Sequence, residues 1–300
     1  MSTEVPRSAS ARCAQLRGVE DAPPVTMLWE SVDALDALKK RFGFTHAAAA
    51  ADWVSDTLAA RWGITVDHCD RIVISAWNAM AWLTDGERRL IAKWSAVPQL
   101  FARLRDASSV TAWLHAMDLP VALPIPAIDG LSLVEVGNSA RGRLRSRLPL
   151  PGSRFLVGVL PVLDGQLLDV EDHEQVADAG RMLAAVHEAM ATYPEPVNGR
   201  TPRSGEHLVH NDFRSANVLH DAATVTGVLD LEEIKHDSNL ADLAKAAVML
   251  GCRYHDWAPT SADVRHDFVS AYSTHLPLTT AQRHELDSRI AVDLKDRGWT

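Results

Sequence analysis

Three polar residues in the segment HLVHNDFRSANVLHDAATVTGVLDLEE, residues 207–233, have the types and spacing to meet a phosphate together with a metal ion. Asp212, Asn217 five positions later and Asp230 thirteen beyond that are each set among residues that otherwise favour burial. "HLV" leads into the first and "VL" follows the second. "VTGVLDLEE" reads as a short strand with its carboxylate at the far end. A polar side chain at the edge of an apolar run needs a partner, and a metal–phosphate group would be one.

The rest of the chain must position these groups. It has 300 residues, 47% hydrophobic and 23% charged, the balance of a globular protein of one or two domains with a substantial core. No apolar run reaches the roughly 18 residues of a membrane span. The N-terminus "MSTEVPRSASARC" has no apolar segment, so no secretory signal is expected. Cys13, Cys69 and Cys252 are scattered and odd in number, which fits reduced thiols in a cytoplasm. A formal charge of -9 leaves no basic surplus for nucleic acid and is compatible with a cationic small substrate.

Residues 1–30 read as a peripheral N-terminal arm. "SVDALDALKKRFGF" and "THAAAAADWVSDTLAARWGI" then read as two helices, with Ser31 and Thr45 as N-caps and Gly43 and Gly63 as stops. From 71 the period becomes two: "RIVIS", "MAWL" and "RRLIAKW" are strand-like, with "TDGE" as a hairpin turn. A helix follows over 99–116, then Pro- and Gly-rich loops and short strands to 152. "SRFLVGVLPVLDG" is an apolar strand ending in a turn, and "EDHEQVADAGRMLAAVHEAM" is a helix with His187 on its buried face. A strand-rich half therefore precedes a helix-rich half, an α+β layout of two lobes: 31–155 with its two leading helices, a hinge linker at 156–164, and 165–300.

"VHNDFRSANVL" resembles the His-x-Asp-x-x-x-x-Asn catalytic loop of the aminoglycoside phosphotransferase family of small-molecule kinases, whose fold is protein-kinase-like. "GVLDLEE" is similar to that family's metal-binding strand end, "NLADLAKAA" to the segment after it, and "MLAAVHEA" to the helix before the loop. The resemblance implies a strand-rich N-lobe that covers a nucleotide and a helical C-lobe. It makes Lys93, in "RRLIAKW", the N-lobe lysine that meets the α/β-phosphates of ATP or GTP. Asp212 would accept or orient the acceptor hydroxyl, Arg214 would lie near the transferring phosphate, and Asn217 with Asp230 would hold Mg2+. His210 would be a scaffold histidine, Asp242 a brace for the catalytic loop, and Glu232 or Glu233 a neighbour of the metal site. The plain alternatives are turn residues capping their own backbone, a solvated arginine and an exposed strand lysine. A zinc cluster of His207, His210, His220 and His236 has no cysteine pair or His-x-x-x-His helix to support it.

The turn in "ISAWNAMAWL" should cover the phosphates, yet it holds no glycine, so backbone N–H groups of Asn78 and Ala79 are the expected donors. The lysine's usual acidic partner should lie on the helix at 99–116, where Asp106 is the acid available. Backbone groups near Val157 and Val159 should meet the base. An active kinase is carried beside two alternatives, an inactive nucleotide-binding protein of the same fold and, more distantly, a metal-dependent hydrolase. Acceptor-binding residues are expected after 250, where Asp256, Asp263, Asp267, Glu285, Asp287 and Asp293 would suit an aminated sugar or a basic antibiotic. Choline, homoserine or a sugar would make it a metabolic kinase.

Overall fold

The period-two runs pair into a sheet in this computed structural model, which describes residues 22–137, 154–222 and 224–299. Most of the expected N-terminal arm, with Cys13, and the stretch 138–153 lie outside the described residues. Strands β1 (Val25–Met27), β2 (His68–Ile74), β3 (Asn78–Asp85), β4 (Arg88–Ser95), β5 (Leu133–Gly137) and β6 (Arg154–Pro161) form one sheet, ordered β1-β2-β3-β4-β6-β5. The arm is thus corrected at its end, because β1 pairs in parallel with β2. The β3–β4 hairpin turns at Gly86, whose φ of 59° suits glycine.

Helix α1 (Ala34–Ala37) widens into a π-helical turn, Leu38–Phe42, and ends on left-handed Gly43; α2 (Ala47–Trp62) ends on left-handed Gly63. Both expected stops hold, but the caps shift. Asp33 accepts the Asp36 N–H in the first turn of α1 and His46 the Ala49 N–H in that of α2, in place of Ser31 and Thr45. Phe42 and Trp53 of the two helical segments, with Phe44 between them, are buried against Trp94 and Phe155 of the sheet.

The C-terminal half is built on α4 (His173–Ala191), α5 (Asn239–Met249), α6 (Ala262–His275) and α7 (Thr280–Asp296). Short strands β7 (Gln166–Leu167), β8 (His207–Val209), β9 (Val218–Asp221), β10 (Thr224–Val228) and β11 (Lys235–Asp237) form two small sheets beside them. Asp172 caps α4 by accepting from the N–H groups of Glu174 and Gln175, so the chain leaves the strand region directly into the helix. Helix α3 (Phe101–Ala116) joins this larger core through Ala107, Val110 and Leu114, although it follows the N-terminal strands in sequence. The protein is α+β and two-lobed, with a protein-kinase-like arrangement of strand-rich and helical halves.

Candidate active site

Strand β8 delivers the chain into the loop at 210–217, and left-handed Asn211, φ 64°, redirects it. The loop is held by buried hydrogen bonds. His210 donates from Nε2 to the Leu229 carbonyl at 3.0 Å and accepts the Asp212 N–H on Nδ1 at 3.2 Å. Its ring is therefore committed to the backbone, the scaffold position expected of it. Asp242, on α5, accepts the Asn211 N–H at 2.9 Å and meets His187 Nε2 at 2.9 Å, while His187 Nδ1 meets the Tyr272 hydroxyl at 2.9 Å. His187 is more than the packing residue its helical position suggested, because it links α4, α5 and α6. Burial pushes the Asp242 carboxyl up, but the hydrogen bond and charge of His187 outweigh it and hold the group below the usual aspartate range.

Asp212 and Asn217 come together as their spacing implied. The Asn217 amide donates to the Asp212 carboxylate and to its carbonyl, both at 2.8 Å. Arg214 donates from Nε to both carboxylate oxygens at 3.1 and 3.2 Å, and from Nη1 to the Cys252 carbonyl at 3.3 Å. It lies buried beneath the Trp257 ring, 5.4 Å away. The arginine is thus built into the loop as the counter-ion of Asp212.

Asp230, left-handed at φ 56°, ends the strand that β10 begins. A non-glycine residue held there stores of the order of 1–3 kcal/mol, a strain found where geometry serves a site. Lys93 reaches it from β4: Nζ lies 3.5 Å from Asp230 and 2.6 Å from Glu232. Burial opposes the charge on Lys93, yet the two carboxylates win and raise its pKa above the usual lysine value. Burial likewise opposes ionisation of Asp230, and the charge and hydrogen bond of Lys93 override it and lower its pKa.

Several expected contacts are displaced. Asp106 is turned to the Asn198 N–H at 2.7 Å, so it is not the partner of Lys93. Glu232 is that partner, and its other oxygen accepts from the Asn78 side chain at 2.8 Å. The Asn78 N–H goes to the Ser75 hydroxyl at 3.2 Å, and Ala79 is paired on both sides within the sheet, so neither offers a free backbone donor. The covering turn presents a side-chain amide instead, and Trp77 points outward at 58% exposure. Val157 and Val159 lie inside the sheet with buried side chains, and the Val159 carbonyl accepts from Ile125 at 2.8 Å. The pairing of β6 with β5 ends at Gly158. The role of Glu232 was missed in the sequence; its signal was a carboxylate two residues past Asp230 combined with a glutamate-free helix at 101–116.

A cavity of about 520 Å3 opens beside the loop, lined by Asn211, Asp237, Lys245, Glu285 and Asp293 among others. Of the six acids expected to serve an acceptor, Glu285 and Asp293 reach it. Asp267 is engaged with His173, and Asp256, Asp263 and Asp287 do not line the cavity. Asp237 and Glu285 pair with Lys235 and Arg289, whereas Asp293 makes no ion pair among the described residues. Burial raises the Asp293 pKa.

No group of three or more His, Cys, Asp or Glu side chains among the described residues is placed to hold a metal by itself. Asn217 and Asp230 nevertheless fit a hard ion that is shared with phosphates. The Asn217 amide nitrogen is fixed on Asp212, which leaves its oxygen as the ligand atom, and Asp230 adds a carboxylate.

The model of the phosphotransferase enzyme family matches residues 200–286, the stretch from before the loop at 210–217 into α7. No curated protein matches the chain by sequence. Among solved structures, the amicoumacin kinase hAmiN in complex with AMP-PNP, Ca2+ and Ami is similar at a TM-score of 0.60 and 14% identity, over 80% of this chain and 85% of that one. A microcompartment-associated aminopropanol kinase is similar at 0.60 and 18% identity, over 80% and 85%. The macrolide 2'-phosphotransferase MphH from Brachybacterium faecium is similar at 0.52 and 17% identity, over 78% and 87%. Residues 200–286 are thus similar to the phosphotransferase enzyme family, and the chain as a whole shares the protein-kinase-like fold of these solved structures.

Proposed function

We propose that the protein transfers the terminal phosphate of ATP or GTP to a hydroxyl of a small, cationic molecule. The observation that carries this is the pairing of two preorganised groups: Asp212 clamped by Arg214 and Asn217, and Lys93 within 3.5 Å of Asp230. Phosphoryl transfer asks a protein mainly to position reactants and neutralise charge, and these residues do both. Asp212 orients the acceptor hydroxyl and takes its proton as the new bond forms. Arg214 keeps that carboxylate ionised and aimed. Lys93 places its charge on the nucleotide phosphates, and Asn217 and Asp230 would hold Mg2+, which offsets the charge that develops on the phosphoryl oxygens.

The acceptor fits the cavity beside Asn211, where Asp293 makes no direct ion pair among the described residues, with Lys245 and Arg289 in the same wall. An ammonium group there would gain a partly desolvated ion pair that fixes its orientation. Antibiotics and small amino alcohols are both within this class, as resistance or metabolic substrates. Buried, unpaired Cys69 and Cys252 support a reducing, cytoplasmic setting. The glycine-free covering turn, with its Asn78 N–H already occupied, is the observation that favours the inactive alternative. A panel of aminated alcohols and antibiotics assayed by ADP or GDP release decides between them. Acceptor-dependent release that vanishes in Asp212→Asn supports transfer. No release with any acceptor favours the inactive reading.

A further inference from the structure

In protein kinases the nucleotide lysine is held by a glutamate from the helix beside the sheet, and catalysis depends on that pair. Helix α3 follows the lysine strand in sequence here, yet its one acid, Asp106, faces Asn198. What α3 sends toward the site is Arg103, which donates to the Glu232 carbonyl and to the Glu233 carboxylate. Glu232 then divides its two oxygens, one on Lys93 at 2.6 Å and one on the Asn78 side chain at 2.8 Å. One carboxylate from the metal-site loop thus meets both N-terminal elements that face the phosphates, the lysine strand and the covering turn.

We propose that Glu232 is the positioning residue for Lys93 and Asn78, taking over the task of the helix acid, with Arg103 of α3 fixing the backbone on which it stands. The helix acts on the lysine through an arginine that holds the Glu232 backbone, in place of a carboxylate of its own. The consequence for turnover rests on the phosphotransferase reading, but the arrangement itself can be tested without turnover.

The test is binding of ADP to the full chain without acceptor, measured by calorimetry, beside steady-state kinetics on the best acceptor. Glutamine conserves the size of the side chain, so Glu232→Gln removes the charged contact that aims Lys93 and should weaken ADP binding by about tenfold. Asp106→Asn should leave the affinity within about twofold, and Glu232→Asp should fall between wild type and Glu232→Gln. Nucleotide KM should rise more in Glu232→Gln than kcat falls. Unchanged ADP binding in Glu232→Gln, a loss in Asp106→Asn, or a wild type that binds no ADP overturns the proposal. If Glu232→Gln does not fold, the Glu232→Asp and Arg103→Ala affinities decide by the same criterion, a loss supporting the assignment and no change rejecting it. ADP binding needs no transfer, so an inactive protein of this fold still reports on Glu232 and the two readings fail separately.

Discussion

Asp212 is oriented before any substrate arrives, because Arg214 takes both of its oxygens and Asn217 one. Replacing the carboxylate by an amide keeps the shape and removes the base. Asp212→Asn should therefore lower turnover by about 10²–10⁴-fold with nucleotide affinity near wild type. Steady-state kinetics with a parallel nucleotide titration checks this, and full turnover would mean the loop has been misassigned. Asp293 tests the acceptor side. Its carboxylate makes no ion pair, although Lys245 and Arg289 of the cavity wall act on it, so Asp293→Asn should raise KM for an aminated acceptor by about two- to fivefold, the worth of a partly exposed ion pair, and change KM for the nucleotide little. Equal KM values for the acceptor in both forms would remove Asp293 from recognition.

At the scale of elements, the loop depends on the helices beneath it. The Tyr272–His187–Asp242–Asn211 chain joins α4, α5 and α6 to the residue before Asp212. Removing one member of a buried pair costs about 3–5 kcal/mol, so Asp242→Ala should destabilise the fold by roughly that amount in denaturant unfolding. The Asp242 pKa lies below its ordinary 3.8 in the fold, so its contribution is complete above that value and lost as pH falls through the folded one. Wild type should lose more stability below pH 3.8 than Asp242→Asn does. Gly180 gives a second test: a Cβ there would lie 2.3 Å from the Phe268 carbonyl, which is backbone of α6. Gly180→Ala should cost about 1–3 kcal/mol despite alanine's better helix propensity. The helix periods, the Gly43 and Gly63 stops and the Gly86 turn were all legible, since each depends on local sequence alone. The caps moved by a residue or two because several polar residues compete at each helix start. Asp106 and Val159 were misplaced for a different reason: their partners, Asn198 and Ile125, are distant in sequence, and no spacing announces them.

Across the whole molecule, two cores meet at the site. Lys93 and Asn78 come from the sheet core, while Asp230, Glu232 and the catalytic loop rest on the larger helical one, to which α3 also belongs. Nucleotide phosphates and a metal ion would lie between them, so binding should depend on both halves at once. The trio at 212, 217 and 230 was readable from order and spacing, whereas the cross-core role of Glu232 needed the fold. A net charge of -9 should also draw cationic acceptors, with kcat/KM falling as salt rises. The central claim is that Asn217 and Asp230 share a metal ion with the nucleotide, and nucleotide titration with and without Mg2+ tests it most directly. Wild type should bind more tightly with Mg2+, Asp230→Ala should lose that dependence, and Asn217→Ala should lose less, because a carboxylate offers a full charge and an amide only a dipole. Identical curves for all three proteins, with and without Mg2+, would contradict the account.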